Sequence, residues 1–170
     1  MADKYLAVNA AGRTEETEAL TASAGGADAG KIVALDGSGK LDPTVMPTGV
    51  GADTASIEAS ENLAAGDLVN VWDDSGTPKV RKADATSTGK EAVGFVLASV
   101  TSGANATVYF EGSISGLSGL TPGAKQYLAT TAGARTETAP SATGNVLQPI
   151  GRAISATAIA FEPADSVIRA

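Results

Sequence analysis

The chain of 170 residues contains no cysteine and no histidine. Without cysteine it can form neither a disulfide nor a thiolate metal site. Without histidine it has no Ser-His-Asp triad, and it lacks the commonest general base and the commonest zinc ligand. These absences favour a structural or binding protein over an enzyme, with no cofactor and no bound metal.

Aromatic residues are also scarce, at 4% of the chain, and Trp72 is the single tryptophan. Small aliphatic residues must therefore fill the interior, and a thin core of this kind often depends on contacts between subunits. The net charge of −7 disfavours binding to nucleic acid or to an anionic membrane. No apolar run approaches the roughly 18 residues of a membrane span, and no signal peptide is evident. We expect synthesis and retention in a cytoplasm-like compartment.

What the chain does contain is an internal repeat. Leu63 and Leu120 begin two similar phrases that are 57 positions apart. The same offset pairs Gly66 with Gly123, Val71 with Leu128, Gly76 with Gly133, Val93 with Ile150, Gly94 with Gly151 and Leu97 with Ile154. The matched positions are glycines and aliphatics, which indicates that turns and close backbone approaches are used twice. No acid, base or nucleophile is matched, so the repeat predicts a framework that presents a surface.

Residues 52–170 are predicted to form an all-β body. Short segments rich in β-formers alternate with Gly, Pro, Asp and Ser turns. The predicted strands are 54–60, 68–72, 79–82, 91–100, 104–110, 126–130, 147–154 and 157–161. The spacing favours a compact β-barrel or sandwich, and the duplication suggests two similar halves, about 63–100 and 120–157, that close one sheet system.

Residues 1–51 differ from the body and are predicted to form an extended N-terminal arm. Residues 4–9 suit a strand, and residues 13–20 predict a short helix. Residues 23–30 are almost entirely Gly, Ala and Ser, which costs too much entropy to order without a partner. Two apolar pieces on such a chain suggest an arm that binds another protein, while an arm that folds back to cap its own barrel remains open.

Three apparent site motifs are weak. Gly25 to Lys31 fits a phosphate-binding loop, but Ile32 replaces the required Ser or Thr. Residues 36–42 resemble a calcium loop but lack its middle acid and its bidentate glutamate. Asp73 and Asp74 suit an ordinary hairpin tip.

Carboxylate-pair chemistry and sugar binding have equally little support. No spacing selects a pair of acids for glycoside hydrolysis from Glu58, Glu61, Glu91, Glu111 and Glu162. Trp72 and Tyr109 could line a sugar groove, although single aromatics on strands more often serve packing.

Several phrases carry a resemblance to known proteins. Residues 119–123 (GLTPG), 126–128 (QYL) and 144–153 (GNVLQPIGRA) resemble a module of tailed-bacteriophage virion proteins. Residues 30–36 (GKIVALD) with 39–42 (GKLD) and Met46-Pro47 are similar to other phage particle proteins, and residues 92–96 and 108–112 resemble capsid decoration, or cement, proteins. The first module also resembles segments of tail fibres, but the chain has no long repetitive shaft.

The resemblance implies a virion structural protein, made in the host cytoplasm, on the outer capsid surface. Such a protein clamps neighbouring subunits of the major capsid protein and is often a homo-oligomer, either a dimer or a trimer. We expect apolar anchors from the arm to bind the shell: Tyr5, Leu6, Val8, Ile32, Val33 and Leu35. Two alternatives remain open, a tail-fibre or baseplate adaptor and a small carbohydrate-binding or carbohydrate-cleaving β-module.

Overall fold

The computed structural model describes residues 3–46 and 52–170. It divides into two units, Met1–Gly51 and Ala52–Ala170. Part of the predicted arm, residues 1–2 and 47–51, lies outside the described residues. This part includes Pro47 of the phage-like phrase. The prediction of an all-β protein is confirmed, and in the described residues the only helices are two short 3-10 turns.

The N-terminal unit begins with a hairpin of β1 (Lys4–Val8) and β2 (Thr14–Glu18). The side chain of Asn9 organises the turn, because its Oδ1 accepts hydrogen bonds from the backbone N–H groups of Ala11 and Arg13, each at 3.0 Å. The helix predicted over residues 13–20 is wrong. That segment has no apolar helical stripe, whereas its Thr residues and its pairing with the apolar β1 favour a strand.

The rest of this unit folds locally, so an extended arm is not confirmed. Leu20 forms a parallel bridge with Val33, and 3-10 turns span Gly26–Asp28 and Pro43–Val45. The Gly-rich segment that was expected to need a partner for order is held by Asp28, whose carboxylate accepts a bond of 2.6 Å from the Ala24 N–H.

The second unit contains two lobes. The first lobe is a closed barrel in the order β3-β5-β4-β6-β7. Its strands are β3 (Thr54–Ala59), β4 (Leu68–Asp74), β5 (Thr77–Lys82), β6 (Gly94–Val96) and β7 (Asn105–Tyr109). A parallel pair, β3 with β5, closes the barrel. Its interior is entirely apolar and consists of Ala59, Leu63, Val69, Val80, Val96, Ala106 and Val108.

The second lobe is a five-stranded sheet in the order β10-β9-β12-β13-β8. Its strands are β8 (Gly112–Ile114), β9 (Lys125–Leu128), β10 (Arg135–Thr136), β12 (Pro149–Ser155) and β13 (Ala158–Phe161). Two further short strands, β11 (Val146–Leu147) and β14 (Val167–Ile168), pair with each other.

The repeat read from the sequence is present in the strand pairing. Starting at β5, the barrel strands lie in the order β5-β4-β6-β7-β3. The order β10-β9-β12-β13-β8 of the second lobe matches it strand for strand, so that β10 takes the place of β5 and β8 the place of β3. Val69 pairs with Gly94 and Gln126 pairs with Gly151, which are the same positions 57 residues apart. The expectation that the two halves close one sheet system is wrong, because each half forms its own sheet and, within residues 52–170, only the first closes into a barrel.

The two lobes share one core. The outer face of the barrel contributes Leu68 and Phe95, and the second lobe contributes Ile150 and Phe161 among others. Phe95 stacks on Tyr109 at 5.4 Å and meets Phe161 edge-on at 5.2 Å. The open lobe therefore buries its inner side partly against the outside of the closed one.

Candidate functional site

Four of the predicted anchors are prominently exposed. Leu6 and Val8 project from one face of β1 with exposed fractions of 73% and 72%, and Ile32 and Leu35 are exposed by 54% and 56%. Val33 is also exposed. We name the set Leu6, Val8, Ile32, Val33 and Leu35 the N-terminal apolar patch. The name denotes exposed aliphatic side chains of one unit and not one continuous surface, because Leu6 and Val8 lie on the face of β1 opposite to Tyr5.

The fold of the N-terminal unit connects the two anchor segments. The Leu20 N–H donates to the Ile32 carbonyl at 2.9 Å, and the Ala34 N–H donates to the Leu20 carbonyl at 2.8 Å. Tyr5 is only half-exposed, and its hydroxyl accepts a bond of 3.4 Å from the Ile32 N–H. Tyr5 therefore links the segments and contributes less open surface than the sequence suggested.

Sequence reasoning missed two neighbours of these anchors along the chain. Leu41 and Met46 are also exposed apolar residues. The hairpin beside Leu6 is acidic, although Lys4 pairs with Glu16 at 2.6 Å. The N-terminal unit can thus offer aliphatic contacts bordered by carboxylates.

The phosphate-loop and calcium-loop motifs serve local turns. Lys31 binds the Asp28 carboxylate at 2.9 Å, and Asp36 accepts bonds from the N–H groups of Ser38 and Lys40. The hydroxyl of Ser38 and these N–H groups hold the pKa of Asp36 below its usual value. Within residues 3–46 and 52–170 no cluster of three or more acids could hold a metal ion.

Most of the acids and aromatic residues that the sequence offers as site candidates make bonds to neighbouring side chains. Lys79 binds Asp74 at 3.0 Å and Glu58 at 3.3 Å, and these bonds raise the pKa of Lys79. Trp72 donates to the Ser60 hydroxyl at 3.3 Å and carries Arg81 over its ring at 5.0 Å.

Two further candidate acids line the same pocket. Glu111 and Glu162 line a pocket of about 390 Å³. The side chain of Glu61 accepts a bond from the Lys82 N–H, and that of Glu91 accepts one from the Gly89 N–H. Two acids in one pocket satisfy only the first requirement of carboxylate-pair chemistry, since nothing assigns them an acid and a base role.

A polar pocket of the second lobe was not predicted. It measures about 340 Å³ and is lined by Gln126, Arg135 and Glu137 together with residues 118–120. Gln126 is fully buried, and its Nε2 donates to a Glu137 oxygen at 3.1 Å. The same oxygen accepts the Thr121 N–H at 2.8 Å, and this backbone bond is the main reason that the pKa of Glu137 is lowered.

Family models give no match to the chain, and neither do the curated proteins. In the part of the chain that the structure describes, no helix is long and apolar enough to cross a membrane.

Proposed function

We propose that this protein is a virion structural protein that binds the outer surface of an assembled bacteriophage capsid and clamps neighbouring major capsid protein subunits. The observation that carries the proposal is the N-terminal apolar patch, in which Leu6 and Val8 are each more than 70% exposed. Burial of one such side chain against a partner contributes about 1.5–3 kcal/mol. The phage setting comes from the sequence resemblance.

A decoration protein acts by mass action. Binding to the assembled shell, and not to free subunits, lowers the free energy of the assembled state. A homo-oligomer, dimer or trimer, strengthens each weak contact because several copies engage the shell together. The proposal therefore needs only a modest apolar surface on each chain.

The first experiment is immunogold electron microscopy of virions of the phage that encodes the chain, with antibody against residues 52–170. We expect gold over the whole head. Gold confined to the tail would replace capsid decoration with the tail-fibre or baseplate role.

A variant of the full chain tests the patch. Leu6→Ser with Val8→Ser should weaken binding to empty shells at least about 100-fold, measured by co-sedimentation. The matched control is Ile154→Ser with Val167→Ser, which removes two aliphatics of the other unit that are exposed by 58% and 62%. Equal losses in both variants, or no loss in the first, would contradict a role for the patch.

A further inference from the structure

The polar pocket of the second lobe occupies positions that are apolar in the first lobe. Gln126 corresponds to Val69, because both lie opposite the repeated glycine in the equivalent strand pair. Arg135 corresponds to Val80, since Val80 pairs with Val71 and Arg135 pairs with Leu128, its equivalent 57 residues later. The second lobe therefore has a side-chain amide and a guanidinium where the barrel has two core valines.

The two lobes also differ in whether the sheet closes beside these two positions. In the barrel, Ala59 pairs with Val80, and the Ser60 N–H donates to the Val80 carbonyl at 2.9 Å. In the second lobe, β8 and β10 are the two outer strands of the sheet, with no pairing between them in the described residues. The pocket lies between β10 and the chain that follows β8, where the barrel has its closing pair.

Two polar atoms beside this pocket have no hydrogen-bond partner among the described residues. They are Oε1 of Gln126 and Nε of Arg135, and both are buried. Buried polar groups are nearly always paired, and leaving one unpaired costs about 1–3 kcal/mol. Val69 and Val80 show that the same fold accepts aliphatic residues at both positions, so this cost is not required by the architecture.

The charges define the ligand class. Arg135 offers only donors, and Glu137, which is a carboxylate at neutral pH, offers only acceptors. An anion would meet Glu137 and a cation would meet Arg135, so neither class is favoured. A hydroxyl group both accepts and donates, and it can therefore use Arg135 and Glu137 together.

We propose that this pocket binds a neutral, hydroxyl-rich ligand, namely one or two sugar residues, between Arg135 and Glu137. The volume of about 340 Å³ lies in the range of small-molecule sites. Leu120 supplies an apolar wall for the ring carbons. This inference concerns the second unit and stands apart from the capsid-binding role of the N-terminal patch.

The test is a proton–nitrogen NMR titration of the full chain with methyl glycosides of glucose, galactose, mannose and N-acetylglucosamine. At least one should shift the signals of Arg135 Nε–H, the Gln126 side-chain amide and the Thr121 N–H, with saturation at millimolar concentration. Sodium sulfate is the anionic probe. Larger shifts with sulfate than with every sugar would overturn the ligand class, and shifts with none of the probes would leave a water-filled pocket and overturn the site.

Variants then tie binding to the pocket. Arg135→Val, which restores the residue of the barrel, should weaken sugar binding at least about tenfold, and Glu137→Gln should weaken it as well. Arg152→Val removes an exposed guanidinium from the same lobe and should leave binding unchanged. Retained affinity in both pocket variants, with the fold intact in their spectra, would refute the proposal.

Discussion

The first and second lobes are two copies of one five-stranded order, yet one is closed and apolar and the other is open and partly polar. A parallel pair of strands seals the barrel around Val69 and Val80, and water has no access to either side chain. At the equivalent points the second lobe has Gln126 and Arg135 beside a pocket. Closure therefore demands apolar residues at these two positions, whereas an open edge tolerates polar ones.

The second lobe can accept these polar residues because its stability does not come from its own interior alone. Its buried Ile150, Ile159 and Phe161 pack in the same cluster as Leu68 and Phe95 from the outside of the barrel. Gln148 adds a polar link, since its side chain accepts the Ala92 N–H at 2.8 Å and donates to the Ala92 carbonyl at 2.9 Å. Stability supplied at the shared face leaves the far end of the second lobe free to diverge.

The largest expected effect comes from exchanging the equivalent residues. Val80→Arg places a charge in a closed apolar barrel and should lower the free energy of unfolding by about 5 kcal/mol or more, or prevent folding. Arg135→Val removes a buried unpaired donor from the second lobe and should raise the free energy of unfolding, by up to about 1–3 kcal/mol. Urea unfolding followed by the fluorescence of Trp72 measures both.

A matched control separates size from charge in this exchange. Val80→Met enlarges the side chain without a charge and should cost about 1–3 kcal/mol through overpacking. If Val80→Arg proves no worse than Val80→Met, the barrel is not closed to water and the contrast between the lobes fails.

A smaller effect is expected at the repeated glycines. A Cβ on Gly94 would lie 2.7 Å from the Tyr109 carbonyl oxygen, and one on Gly151 would collide with the Ala160 carbonyl oxygen. Gly151 also has φ of 135°, which disfavours any side chain. We expect Gly94→Ala to cost about 2–3 kcal/mol and Gly151→Ala about 3–4 kcal/mol in chemical unfolding.

Gly103→Ala is the control for backbone conformation alone. Gly103 has φ of 85° but open space where a Cβ would stand. This variant should cost only about 1 kcal/mol. Equal costs at all three positions would mean that close backbone approach is not what the repeat preserves.

Much of the second unit could be predicted from the sequence. The fixed offset revealed the glycines that both lobes use, and every predicted strand overlaps an observed one because β-rich segments alternate with strong turn signals. The predicted strand 91–100 is a strand only at Gly94–Val96, the prediction 147–154 merged β11 with β12, and the short strands β8, β10 and β14 were missed. The replacement of Val69 in the first lobe by Gln126 in the second could be predicted from the same offset. The replacement of Val80 by Arg135 could not, because Arg135 follows its partner Leu128 by seven residues whereas Val80 follows Val71 by nine, which shifts the alignment by two and preserves the face.

The closing pair and the hairpin of the N-terminal unit were beyond local reasoning. Whether β8 reaches β10 depends on contacts between distant segments, which no periodicity encodes. Residues 14–18 carry three glutamates, which are good helix formers, and their strand conformation is decided by pairing with β1. Leu6 and Val8 are exposed, and their role as anchors stays a prediction, whereas the connecting role of Tyr5 required the fold.

The smallest expected effect concerns two carboxylates, Asp84 in the loop after β5 and Glu137 in the second lobe. Asp84 is nearly buried, and burial raises its pKa, but bonds from the hydroxyl and N–H of Thr86 and from Lys90 outweigh this and hold the pKa below its usual value. Glu137 has a lowered pKa because of the Thr121 N–H, and its side chain is exposed.

A group with a lowered pKa stabilises the fold above its unfolded pKa and loses that contribution as the pH falls through its folded pKa. The stability difference between wild type and Asp84→Asn should therefore be greatest near neutral pH and vanish in acid below the ordinary aspartate range. Glu137→Gln should follow the same course with a smaller amplitude, because solvent screens an exposed group. Unfolding midpoints measured across the acid range test this, and a larger amplitude at Glu137 than at Asp84 would show that the second lobe holds its carboxylate more firmly than the loop after β5 does.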